Sequence, residues 1–303
     1  MTSYLVVGEA LVDVIVGADG TLSDHPGGSP ANVAYGLGQL GDDVTLLTEL
    51  GDDPYGRMIA GHLAAAGVTV RACPATATST ARARLRPDGS ALYDFDVSWD
   101  IDVAGAPATD LLHTGSIGAL LAPGADAVRA LVTSRRPQTL ISLDPNIRPA
   151  LLDTRESVQA RLDHLVMLSD VVKISDEDLR WLYPERDPGA VAQAWHTDGT
   201  PLVAVTRGAD GVTAYFAGTR IDVPPAPAQV VDTVGAGDSF MAALLDALVR
   251  AMSGTARRSR LAALTPAAVR GVLEWAATAA ALTVSRAGAA LPTRSEIDEA
   301  ARH

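Results

Sequence analysis

Short runs of β-branched and aliphatic residues alternate with segments of helical length along most of the chain, and this alternation restricts the fold more than any single motif does. Residues 4–7, 44–47, 111–113, 139–143, 171–174 and 202–206 read as buried strands, and residues 31–40, 55–66, 125–134 and 157–168 carry helical patterns between them. Strand, helix and strand in repetition predict βαβ units, hence an α/β chain with a mostly parallel, doubly wound sheet covered on both faces. At 303 residues, with 48% hydrophobic and 20% charged positions, one domain spanning 1–303 is expected.

Two places break the rhythm. Residues 11–26 and 78–99 look like strands and turns without intervening helices, and Pro87-Asp88-Gly89 is a turn signal between two of those strands. Together they would form a small β-sheet over one edge of the core, either a lid over a substrate or a decorative hairpin. The prolines at 224–227 form too short a stretch for a domain linker, so they read as a loop.

A formal net charge of −12 argues against a nucleic-acid partner, because backbone binding depends on clustered cations. Anionic substrates would have to be held by local groups such as helix N-termini or a bound metal. Cys73 is the single cysteine, which rules out an internal disulfide and a thiolate metal cluster. The N-terminus has no basic segment and its apolar run is interrupted by Glu9 and Asp13, so it does not read as a signal peptide. The apolar stretch at 275–284 reads as too short to span a bilayer. A cytosolic protein with no membrane partner is expected.

The sharpest local feature is Asp232-Thr233-Val234-Gly235-Ala236-Gly237-Asp238-Ser239-Phe240, which runs into a helix marked by Phe240, Leu244, Ala247 and Leu248. Glycines at a helix N-terminus let backbone N–H groups approach an anion, and the helix dipole adds positive character there. Asp238 is either an ordinary capping residue or a base placed beside an anion cradle to take a hydroxyl proton during phosphoryl transfer. Gly27-Gly28-Ser29-Pro30-Ala31-Asn32 opens a second helix, as a tight turn or as a place where Gly28 and Asn32 meet a hydroxylated ligand. Thr206-Arg207-Gly208-Ala209-Asp210-Gly211 follows a buried strand, as a nucleotide loop or a plain turn. Gly36, Gly38 and Gly41 match the dinucleotide fingerprint in letters but lie late in a helix, and Lys173, the single lysine, has no glycine run before it, which excludes a Walker A loop.

Taken together, these motifs resemble the ribokinase-like (PfkB) family of carbohydrate kinases, in the right order over nearly the whole chain. The stretch from Asp232 to Phe240 is similar to the family's C-terminal signature, and 27–34 to its N-terminal one. The resemblance implies a three-layer α/β/α core with a β lid, which could also carry a homodimer, and ATP and Mg²⁺ as cofactors. It implies Asp238 as the base, the N–H groups of Gly235, Ala236 and Gly237 as an anion hole, Asp13, Gly28 and Asn32 as sugar contacts, and Thr206, Gly208 and Gly211 as the nucleotide loop. The family's Asn-x-x-Glu metal motif falls on Ser175-Asp176-Glu177-Asp178, so Ser175 and Asp178 replace the usual pair and Glu177 is a substitute candidate. A monovalent cation would sit by Asp232, the Val234 carbonyl and the carbonyls near Thr283, Arg286 and Gly288.

Within the family, 8–13, 27–34 and Asp144-Pro145-Asn146-Ile147-Arg148 look most like fructokinases, which implies D-fructose as acceptor, phosphorylated on its 6-hydroxyl. A 2-keto-3-deoxygluconate kinase or a ribokinase shares the scaffold. A sugar acid would call for a paired arginine, for which Arg84 and Arg148 are candidates, although lid arginines also commonly face solvent. The altered metal motif leaves a reading of another class, a sugar- or nucleotide-binding protein without catalysis.

Overall fold

A computed structural model gives the structure of residues 2–17, 20–85 and 91–302. Its strands, in chain order, are β1 (Ser3–Val7), β2 (Leu11–Val16), β3 (Leu22–Gly27), β4 (Asp43–Gly51), β5 (Thr69–Ala75), β6 (Thr80–Leu85) and β7 (Ala91–Asp96). They continue with β8 (Leu111–Gly115), β9 (Leu140–Asp144), β10 (Val171–Ser175), β11 (Leu202–Thr206), β12 (Val212–Phe216) and β13 (Thr219–Val223). The helices are α1 (Ser29–Gln39), α2 (Pro54–Ala65), α3 (Ser116–Leu120), α4 (Gly124–Arg135), α5 (Arg155–Leu168) and α6 (Asp176–Leu182). After these come α7 (Pro188–Thr197), α8 (Ala236–Ala251), α9 (Arg258–Ala262), α10 (Pro266–Val284) and α11 (Arg294–Ala300).

Among the described residues, nine strands form the main sheet in the order β13-β12-β11-β10-β9-β8-β1-β4-β5. The seven from β11 to β5 run parallel, while β12 and β13 add an antiparallel edge. Strands buried on both faces explain why their sequences are continuous apolar runs. Tyr4, Val6, Leu111 and Leu202 pack toward α1, α8 and α10, whereas Leu5, Val7, Leu112 and Ile141 face α4 and Leu143, Val172 and Val203 face α5 and α7. This is the mostly parallel, doubly wound sheet that the alternation of elements predicts, in the three-layer α/β/α form that the family resemblance implies.

The helix α8 is buried at every position from Asp238 to Val249 and so has no solvent face. Gly36 and Gly38 lie inside α1 as expected; a Cβ at Gly36 would press on Leu291 and Ala242, and one at Gly38 on the Ala66 carbonyl, so these glycines serve helix packing. α10 runs over 19 residues and is by length and composition able to cross a membrane, longer than the stretch at 275–284 suggested. It lies along α8 with Val269, Leu273 and Ala276 buried.

A second sheet, in the order β3-β2-β6-β7, stands over the carboxyl ends of the main strands near β1. The β2–β6 pair is parallel and is flanked by two antiparallel pairs. The Pro87-Asp88-Gly89 turn lies outside the described residues. The sheet-edge strand β5 escapes a reading by apolar runs because most of its residues are exposed or half-buried.

Candidate active site

The connections after β1, β8, β9, β10 and β11 all emerge at the carboxyl edge of the main sheet, where open α/β sheets bind ligands. The N-terminus of α8 reaches the same edge from the helical layer.

Gly235 is the N-cap of α8 in the left-handed region, φ 76, and a Cβ there would lie 2.7 Å from that of Ala289, so glycine is required on both counts. The N–H groups of Gly235 and Gly237 have no acceptor among the described residues, and Ala236 N–H makes only a long bond of 3.3 Å to Thr233 O. Two unpaired backbone donors and one weakly held one thus lie at a helix start, the kind of group from which the glycines suggested an anion cradle.

Asp238 is the third residue of this helix, 6% exposed. Ser29 Oγ donates to its Oδ1 at 2.6 Å and Asn32 Nδ2 donates to its Oδ2 at 2.8 Å. Burial pushes its carboxyl up to about 6, against the pull of these two donors, and the nearby Asp144 carboxylate adds to the rise. A carboxyl placed there is ionised at neutral pH and still basic enough to accept a proton. Asn32, which the sequence suggested as a sugar contact, spends its Nδ2 on Asp238, with its Oδ1 on the other side of the amide. Ser29, which does the same, was legible only as part of a helix start.

Asp13, on β2, is half-buried and its carboxyl is raised by desolvation, partly offset by the Arg148 guanidinium. A Cβ on Gly27 would collide with the Asp13 carboxylate, so the first glycine of the pair makes room for this side chain. Gly28, φ 98, leans on the Glu9 carbonyl. Arg148 lies four residues beyond β9, and its guanidinium donates to Asn146 Oδ1 at 2.7 Å. Arg84 is not brought to this site. In the parallel β2–β6 pair, Asp13 is in register with Ala81 and Val16 with Arg84, which puts the exposed Arg84 on the opposite face from Asp13.

The single lysine carried no motif in the sequence, yet the fold brings it under the cradle. Lys173 is 4% exposed and donates to Asp144 Oδ2 at 2.8 Å, and a Cβ on Gly237 would lie 2.9 Å from its Nζ. Asp144 Oδ1 is buried with no partner among the described residues. Burial raises the Asp144 carboxyl, opposed by Lys173.

Of the altered metal motif, Ser175 is the N-cap of α6, its Oγ accepting from Asp178 N at 2.9 Å. Asp178 is largely buried, accepts from Ile147 N, and is raised first by desolvation, with Asp144 close enough to raise it further. Glu177 is exposed and does not join them. Among the described residues, no three histidine, cysteine or carboxylate side chains converge as metal ligands. The orphaned Asp144 oxygen, near enough to Asp178 and to Asp238 to raise each, fits a cation held mainly by phosphate and water, as Mg²⁺ commonly is.

Thr206 pairs with Ser175 at the end of β11, and the glycine loop is the turn into antiparallel β12, with Gly208 at φ 51 and Gly211 at φ 81 packed on the Val223 carbonyl. The two halves of the expected monovalent site do meet. Asp232 Oδ1 accepts from Val234 N at 3.0 Å and its Oδ2 from Gly288 N at 2.8 Å, bonds that hold its carboxyl below the usual range. The Thr283 carbonyl accepts from Arg286 N at 3.0 Å, and the Arg286 guanidinium turns away to Glu296.

A buried carboxylate beside a backbone anion cradle, on an α/β sheet crossed by a small second sheet, defines a phosphotransferase acting on a hydroxyl. The pfkB family carbohydrate kinase pattern matches residues 1–296, and the chain belongs to that family. It is 35% identical to a fructokinase of Rhizobium leguminosarum bv. trifolii over 261 residues, 80% of this chain and 79% of the relative. It is 34% identical to a fructokinase of Klebsiella pneumoniae over 306 residues, covering 96% and 97% of the two chains. A Xylella fastidiosa fructokinase crystallised with ATP superposes with a TM-score of 0.89 at 27% identity, covering 99% of this chain and 98% of that one. A Vibrio cholerae fructokinase double mutant, bound to fructose, ADP and potassium, gives 0.85 at 26% with the same coverages.

Proposed function

We propose that this carbohydrate kinase phosphorylates D-fructose on its 6-hydroxyl with ATP, in the cytosol, and that the second sheet is the lid over the sugar. The observation that carries the reading is Asp238, buried and held by Ser29 and Asn32 at the mouth of the α8 cradle. The fructokinase relatives, and the fructose and ADP bound by the Vibrio cholerae enzyme, support the substrate assignment.

ATP supplies the phosphoryl group, and Mg²⁺ near Asp144 and Asp178 would offset its charge. The residues of the chain do the rest. Asp13 and Gly28 orient the sugar so that its hydroxyl faces Asp238, and Asp238 accepts the proton as the oxygen attacks phosphorus. The N–H groups of Gly235, Ala236 and Gly237 stabilise the charge that gathers on the transferring group. Lys173 adds a cation beneath the same cradle. Thr206, Gly208 and Gly211 border the nucleotide, and Arg148 at the rim faces phosphate rather than sugar. Asp232 and the carbonyls of Val234 and Thr283 would hold a monovalent cation, which would add positive charge beside the cradle loop, and two copies of the chain pair through the lid.

Arg84 lies across the lid from Asp13, which favours a neutral sugar over a sugar acid. The test compares kcat/KM for fructose, ribose, 2-keto-3-deoxygluconate and adenosine under one set of conditions. Fructose leads on this reading. A sugar acid ahead by an order of magnitude, with the advantage lost in Arg84→Ala, refutes it, and no sugar-stimulated ADP release from folded protein leaves a binding protein instead.

A further inference from the structure

The chain crosses between core and lid four times, and at each crossing a carboxylate holds the backbone or side chains. Ser29 and Asn32 bind Asp238 just after β3. Asp53 accepts from Thr78 N at 2.7 Å and from its hydroxyl at 2.9 Å just before β6. Glu49 accepts from Ser98 Oγ at 2.9 Å and Asp100 N at 2.7 Å just after β7. Glu9 holds the remaining crossing, between β1 and β2.

Glu9 is 3% exposed, and its Oε2 accepts from Gly118 N at 2.7 Å. Burial pushes this carboxyl up to about 7 in spite of that donor. The other end of the same residue is held as well, because Trp99 Nε1 donates to Gly118 O at 3.0 Å. Trp99, 3% exposed, belongs to the crossing after β7. The first and last lid connections are thus fastened to one residue in the middle of α3. The fit is close: a Cβ at Gly118 would lie 2.5 Å from Gly8 Cα and 3.3 Å from Glu9 Oε2.

We propose that Gly118 is the fastening point that sets the lid over the sugar, and that Glu9 and Trp99 are positioning residues for the acceptor. Asp13 follows Glu9 by four residues on β2, and a Cβ at Gly28 would lie 2.7 Å from the Glu9 carbonyl, so both proposed sugar contacts are indexed to this clasp. The nucleotide-bordering residues 206–211 and the cradle at 235–237 lie on other elements. Loosening the clasp therefore shifts the acceptor and spares the nucleotide. The inference rests on the fructokinase reading for its kinetic arm alone.

Trp99→Phe removes one donor and keeps most of the ring packing, and Glu9→Gln removes the charge at nearly constant shape. Each is expected to raise the fructose KM about tenfold, with the ATP KM and kcat within about twofold of wild type. Hydrogen exchange should quicken in Leu11–Val16 and stay unchanged in Val171–Ser175. Folded variants with an unaltered fructose KM, or with both KM values moved alike, overturn the assignment. If wild type does not use fructose, the function proposed above fails, and unchanged exchange in Leu11–Val16 then overturns the clasp separately.

Discussion

Replacing Asp238 by Asn should make the protein slower and more stable at the same time. The carboxyl is raised from 3.8 to about 6, roughly two pKa units, or about 3 kcal/mol by linkage. Because the folded pKa is the higher one, the folded state binds the proton more tightly and the sign is destabilising. The penalty is absent below about pH 4, grows as pH rises through 6, and is complete at pH 8. Asn carries no such penalty, so Asp238→Asn should melt a few degrees above wild type at pH 8, at about 2 °C per kcal/mol for a chain of this size, and level with it near pH 4. Turnover should fall by roughly 10²- to 10⁴-fold with the loss of the general base. Coupled ADP release at saturating fructose and ATP, from pH 5 to 9, measures the second effect, and wild type should lose activity as pH falls through about 6. A variant that keeps more than a tenth of wild-type kcat, or that melts lower at pH 8, refutes the placement of a desolvated base at this residue.

Lys173→Met should lower kcat/KM for ATP by roughly two orders of magnitude and destabilise the fold by about 3–5 kcal/mol, since it strands the buried Asp144; adding Asp144→Asn should restore the melting temperature and not the activity. Wild-type ATP kinetics in the single variant would remove Lys173 from the site. Asp42, raised to about 7 by burial and by Asp246, has a buried Oδ2 without a partner, so Asp42→Asn should raise the melting temperature at pH 8 and leave it unchanged near pH 4. Equal melts at both values would show that Arg294 already compensates the charge. K⁺ should raise turnover over a bulky organic cation at equal ionic strength, and equal rates would discard the site at Asp232.

The layers of the core were readable because parallel strands buried on both faces are continuous apolar runs, as at 171–174 and 202–206. The cradle was readable because Gly235 has to adopt a left-handed conformation. Edge strand β5 was not, since exposure on one side removes the apolar pattern. Ser29 and Lys173 were hidden for another reason. Their meaning lies in partners 209 and 29 residues away, Asp238 and Asp144, and no local pattern encodes such a pairing. Ser175 shows the converse: its place in a motif suggested a ligand role, while local helix capping already occupies its oxygen. Arg84 could be placed on one strand face by alternation, but which face looks at Asp13 depends on the β2–β6 register.

The clamp on Asp238 joins residues made some two hundred positions apart in the chain. Ser29 and Asn32 leave the ribosome some two hundred residues before the carboxylate they hold, and Gly288, which fixes the cradle loop through Asp232, emerges later still. A growing chain therefore carries Asp13 and Gly28, the proposed acceptor contacts, well before it carries the proposed base and cradle. A chain stopped before residue 232 would lack Asp238 and the 235–237 turn together, so the two halves of the proposed site come and go as one.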